Sequence, residues 1–141
     1  MPYREKIAWL SLIAMAVTFG PYFALVGTRY RSSGLLPDMG QLELYAVAAF
    51  VQMAILGAGR LYLRRGSPLD AGSAPDERDR GIEQESIRFA YYVLIVGMIL
   101  VGCVMPFKSS GWSIVHAALA MIVAAEVVHY GAVVFGYRRQ A

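Results

Sequence analysis

The sequence predicts an all-α membrane protein: a four-transmembrane-helix bundle with both termini inside, forming a single integral membrane domain over residues 1–141. Three observations carry that prediction. Of the 141 residues 57% are hydrophobic and 16% charged, against ~45–50% and ~25% in a typical soluble domain. The apolar residues gather into four runs, 7–27, 42–63, 86–106 and 112–136, each long enough at ~1.5 Å per residue to cross ~30 Å of hydrocarbon. Finally, 10 of the 13 Lys and Arg lie before the first run, between the second and third with their flanks, or after the fourth. By the positive-inside rule both termini and the loop 64–85 are cytoplasmic.

The first run follows Arg4 and Lys6, like the basic start of a signal peptide, but it is too long and has no convincing small-x-small cleavage site, so it reads as a retained helix. Gly20-Pro21 would kink or end it. Residues 28–41, with Ser32-Ser-Gly34 and Pro37-Asp-Met-Gly40, form a turn-rich polar loop. By contrast Pro106-Phe-Lys-Ser-Ser-Gly111 is a tight reversal that makes the third and fourth helices antiparallel neighbours. Helix contacts are expected at small residues: Ala54 and Ala58, Ala120 and Ala124, Gly97 and Gly102. Trp9, Trp112, Tyr3, Tyr22, Tyr30, Tyr45 and Tyr137 fall near the ends of the runs, where amphipathic rings form an aromatic belt at headgroup depth.

A shift of 74 residues aligns Arg64-Arg65 with Arg138-Arg139, Gly57 with Gly131, Ala46 with Ala120 and Gln52 with Glu126. Two tandem helical hairpins in parallel topology would produce this pattern; chance similarity between apolar helices would produce it too.

Composition changes abruptly before the third helix. Gly66 to Ala74 is a flexible linker, and Pro75 to Glu85 is almost wholly charged. Pro75 suits the first turn of a helix, with Ser73 or Ala74 before it, and Asp76, Glu77 and Asp79 complement the positive end of its dipole. Asp76 with Arg80, Arg80 with Glu83 and Glu85 with Arg88 have the spacing of helical ion pairs. The third helix should therefore begin outside the bilayer and run from about 75 to 105 as one rod, weakest at Gly81.

The stretch Asp76-Glu-Arg-Asp-Arg80, followed by Ile82, Glu83 and Ile87-Arg-Phe-Ala-Tyr-Tyr92, resembles a charged motif that precedes the third helix in small four-helix membrane proteins of bacteria and archaea, a family of unknown function. The resemblance covers residues 42–105. It implies a four-span fold with a cytoplasmic acidic-basic segment and supplies no activity. The segment reads either as a solvated helix cap that fixes topology or as a docking surface, formed by Asp76, Glu77, Arg78, Asp79, Arg80 and Glu83, for a cytoplasmic partner or a neighbouring copy.

Glu126 is the one acidic residue deep in a span. An ionised carboxylate there costs at least ~2.5–3.5 kcal/mol on insertion scales, so it should be protonated, paired or facing a wet cavity. His129, at i+3, shares its helix face. The pair can serve proton coupling, with His129 as relay; it can bind a lipid, quinone or other small ligand; or it can bond internally, or to Gln52, and fix helix register. A metal site would need further carboxylates from other helices, and none is expected. His116 and His129 lie 13 residues apart on one helix, so within one chain they cannot both ligate one haem. A dimer, or a non-His second ligand such as Met98 or Met105, would have to complete such a site; no cofactor is expected, and His116 reads as an interfacial residue.

Cys103 is the only cysteine, which excludes dithiol redox chemistry and a cysteine zinc site within one chain. Nucleophile elbows, zincin motifs and phosphate-binding glycine loops are missing, so no catalysis is expected. The net charge of +3 is spread in short clusters at the ends of apolar runs, the pattern of membrane topology and not of nucleic-acid binding. The leading expectation is an accessory or regulatory protein of the bacterial cytoplasmic membrane, for which 11 Arg to 2 Lys suggests a high-GC genome. It would work through helix packing and the charged loop, with the lipid bilayer, a homodimer mate and a cytoplasmic or membrane protein as partners. The alternative is an oligomeric proton- or cation-coupled transporter or channel built around Glu126, His129 and Gln52.

Overall fold

The computed structural model describes residues 2–29, 39–68, 72–109 and 111–139, and among these every regular element is helical. The elements are α1 (Tyr3–Arg29), α2 (Met39–Gly66), α3 (Glu77–Ile99) and α4 (Trp112–Arg139). Each carries, with the turns that extend α3 to Phe107, a stretch long and apolar enough to cross a membrane. The turn-rich loop and Tyr30 fall within 30–38, outside the described residues.

Local chemistry sets the ends of α3. Its cap is Asp76, whose carboxylate accepts the Asp79 N–H at 2.7 Å, so Pro75 stands just outside the helix and neither Ser73 nor Ala74 caps it. A carboxylate in the N-cap position satisfies an otherwise unpaired amide and faces the positive dipole end. At its far end the predicted single rod is interrupted: Leu100–Val104 forms a π turn, with the Met105 N–H bonded to the Leu100 carbonyl, and Met105–Phe107 follows as a 3₁₀ turn. Pro106 supplies the reason, since it has no N–H for the carbonyl four residues back and its ring crowds that carbonyl. Gly111, with φ 65°, then turns the chain into α4 through left-handed backbone that other residues rarely adopt. The helix α1, in contrast, continues through Gly20-Pro21 without ending.

The helices pack in the order α2, α1, α4, α3. The central pair α1 and α4 joins the two hairpins, and α2 and α3 flank it without an interface of their own comparable to that pair. The α1–α2 hairpin thus lies beside the α3–α4 hairpin in the same order, α2 and α1 followed by α4 and α3, with α1 meeting α4 between them. Met15, Phe19 and Tyr22 of α1 form the core, covered by Leu44, Tyr45 and Ala48 of α2 and by Val123 and Tyr130 of α4. Outside it Phe50, Met53, Phe89, Tyr92 and Ile99 are exposed, an apolar exterior suited to lipid.

Close approach depends on three glycines. A Cβ on Gly59 would collide with Leu10, one on Gly136 would lie 2.8 Å from Ile82 Cγ2, and one on Gly97 would lie 2.9 Å from Met121 Cγ and 3.1 Å from its Cβ. Of the expected contact residues Gly97 does this work. Gly102 faces open space, and Ala54 and Ala58 are exposed, because α2 turns the neighbouring Gly59 toward α1. Gly97→Leu should therefore force α3 off α4 and cost about 1–3 kcal/mol, read as a lower melting temperature in detergent, whereas Gly102→Leu should leave it unchanged.

Candidate functional site

The buried face of α1 is polar at intervals of a heptad: Arg4, Ser11 and Thr18, then Tyr22 one turn on. Seven residues are close to two turns, so these side chains line up along one face about 10 Å apart. Neighbouring helices answer most of them. The Thr18 hydroxyl lies 2.8 Å from the Ala14 carbonyl and 2.7 Å from the Gln52 side-chain amide, which places Gln52 in the α1–α2 seam. The buried Ser11 Oγ has no hydrogen-bond partner among the described residues.

At the end away from the termini, His116 joins three helices. Its Nδ1 lies 3.1 Å from the Tyr22 hydroxyl, and its Nε2 contacts the Gln41 Oε1. A neutral imidazole fits both contacts, with Tyr22 donating to Nδ1 and Nε2–H donating to Gln41. Tyr22 is 2% exposed and Gln41 1%, and the Trp112 ring stands edge-on to the imidazole at 5.3 Å. His116, four residues from the start of α4, is thus the centre of a network that joins three helices near their ends. Tyr22, Trp112 and Tyr137 are buried among helices instead of lying in the belt. Three polar side chains at one end of three different helices were the available signal.

At the arginine-rich end the charged segment turns inward. Arg4 Nε lies 3.3 Å from Asp79 Oδ2 and Arg4 Nη1 3.7 Å from Glu83 Oε2, while the Tyr137 hydroxyl donates to Asp79 Oδ1 at 2.5 Å. Arg138 pairs with Glu5 at 3.9 Å and stacks over Trp9 at 5.3 Å. Of the six docking residues, Asp76 caps α3, Asp79 and Glu83 clasp α1, and Glu77, Arg78 and Arg80 are exposed. None of the expected ion pairs within the segment forms among the described residues: Asp76 is committed to the helix cap and Glu83 to Arg4 on α1. Asp79→Ala should destabilise the protein by about 1–3 kcal/mol through the buried Tyr137 hydroxyl it strands, and Arg80→Ala should change the melting temperature little.

Glu126 and His129 sit on the α3 side of α4 and are not bonded to each other or to Gln52. The Ser86 hydroxyl donates to the Glu83 carbonyl at 2.7 Å, and His129 Nδ1 lies 3.1 Å from the Ser86 Oγ. Because the single hydroxyl proton is committed to the carbonyl, the Nδ1 of His129 must carry the hydrogen and donate. In the neutral ring Nε2 is then a free acceptor. His129 borders two cavities: a groove of about 350 Å³ between Ile87, Ala90, Tyr91 and Leu94 of α3 and Ala125, Glu126 and Tyr130 of α4, and a cleft of about 210 Å³ that includes Arg4, Arg60 and Glu83. Glu126 is exposed and makes no hydrogen bond or ion pair among the described residues. It is 14 residues from the start of α4 and 13 from its end, hence ~20 Å from either.

Four membrane-length helices with a carboxyl at mid-span define a small multi-pass α-helical membrane protein. The chain belongs to the family described as predicted membrane protein DUF2178, whose model matches residues 10–141. The match takes in α1 from Leu10 onward, the other three helices, and Glu126, His129 and His116, while Arg4 and Glu5 precede it. No curated protein and no solved structure matches the chain.

Proposed function

We propose that the protein is a small proton- or cation-coupled carrier or channel of the bacterial cytoplasmic membrane, working as an oligomer around the groove that holds Glu126. The observation that carries this reading is the position of that carboxyl, exposed at mid-span with no internal partner among the described residues. A purely structural acid would be paired or buried in the bundle; one left facing a groove is available to exchange a proton. His129, with Nε2 free on the same face, is the group that would relay it. Four helices of this length enclose little room, the cleft that Arg4, Arg60, Glu83 and His129 line between them being about 210 Å³, so the reading takes a second copy to complete a path. The ten basic residues at one end support a cytoplasmic position for the termini and the 64–85 segment in this reading. The reading is non-catalytic and uses no cofactor or metal.

An accessory role is the second reading, favoured by Glu77, Arg78 and Arg80, which the clasp leaves exposed as a docking surface for another protein. Proteoliposomes separate the two. With an entrapped pH dye and a potassium–valinomycin diffusion potential, wild-type protein should move protons and Glu126→Gln should not, at equal yield and helical content. Equal traces from both proteins would favour the accessory role.

A further inference from the structure

The polar groups of the α3–α4 groove point to one class of ligand. Its only formal charge is the Glu126 carboxylate. The second polar function at its rim is His129, whose Nδ1–H is already given to Ser86, so that Nε2 is an acceptor. Both groups thus ask for a donor, and one of them asks for positive charge. The remaining walls are aliphatic or aromatic: Ile87 and Leu94 from α3, with the Tyr91 ring on one side and the Tyr130 ring on the other, the latter 4.9 Å from the imidazole. Aromatic faces attract a cation most strongly where water is excluded. An anionic ligand would meet the carboxylate, and a ligand that only accepts hydrogen bonds would find acceptors opposite it.

We infer that the groove binds a hydrophobic organic ammonium ion, its N–H groups on Glu126 and His129 and its hydrocarbon body between α3 and α4. This rests on the functional reading above in taking Glu126 as the working group of the site. About 350 Å³ is near the lower end of small-molecule sites, which favours a compact body over a long chain. Access is lateral, from the lipid, because the groove lies along the exposed face of the α3–α4 hairpin.

Three compounds that share one hydrocarbon cage and differ in headgroup test the inference: 1-aminoadamantane, 1-adamantanol and 1-adamantanecarboxylate, titrated calorimetrically into the full chain in lipid nanodiscs, with empty nanodiscs subtracted. The ammonium should bind at least tenfold more tightly than the alcohol, and the carboxylate should not bind. Glu126→Gln should remove the preference for the ammonium while leaving weak binding of the alcohol, which also shows that the variant is folded. Equal binding of all three cages, a preference for the carboxylate, or an ammonium preference that survives in Glu126→Gln would overturn the ligand class. Were proton movement still dependent on Glu126 in that event, the ligand class alone would fall. Proton movement indifferent to Glu126 would overturn the functional reading, whichever cage binds.

Discussion

Glu126→Leu is expected to improve insertion of α4 into the bilayer by about 3 kcal/mol, roughly a hundredfold, while removing the proton movement proposed above. The two effects share one cause. On insertion scales an acidic residue at the centre of a span costs ~2.5–3.5 kcal/mol and a leucine contributes about −0.5 kcal/mol, and Glu126 lies midway along α4. An internal bond would offset part of that cost, but no side chain among the described residues supplies one. In a translocon assay with α4 as the test segment, the leucine variant should insert more completely than the native segment, and Glu126→Gln should fall between them. Insertion unchanged by Glu126→Leu would mean that residue 126 does not reside at hydrocarbon depth.

His116→Phe is expected to be among the most destabilising single substitutions outside the helix contacts. Phenylalanine fills the same space, so the loss is that of two hydrogen bonds. It would leave the Tyr22 hydroxyl and the Gln41 side chain, at 2% and 1% exposure, without the imidazole that joins them. A stranded Tyr22 hydroxyl costs about 1–3 kcal/mol when buried; hydrogen bonds between membrane helices average nearer 0.6 kcal/mol, so a total of about 2 kcal/mol is expected. Unfolding in mild detergent should read it as a lower midpoint. His116→Gln, which can both accept from Tyr22 and donate to Gln41, should recover much of the difference. A phenylalanine variant as stable as wild type would mean that the imidazole contacts to Tyr22 and Gln41 do not hold the helices together.

The fold was legible because span length and the excess of apolar residues are properties of composition, and the four helices lie where the hydropathy put them, lengthened by a few residues at most ends. The order of packing was not legible. Apolar helices carry little information about which face meets which neighbour, and the contact residues are decided by geometry at single positions: Gly97 packs and Gly102 does not, Gly59 approaches α1 and Ala58 does not. Polar pairing followed the same rule. Spacing along one chain suggested Glu126 with His129 and Asp76 with Arg80, but the partners that the structure brings together lie on different helices: Ser86 with His129, Arg4 with Asp79, Thr18 with Gln52. Position along a helix could identify Glu126 as costly; it could not show that the residue faces a groove.

The most direct test of a protonatable, lipid-accessible carboxyl at mid-span is chemical labelling in intact membranes with dicyclohexylcarbodiimide, an apolar reagent that reacts with protonated carboxylic acids. Peptide mass spectrometry should find the adduct on Glu126. Asp79 and Glu83, paired with Arg4 at the arginine-rich end, should remain unmodified. An unmodified Glu126 under conditions that label other carboxyls of the chain would contradict the account.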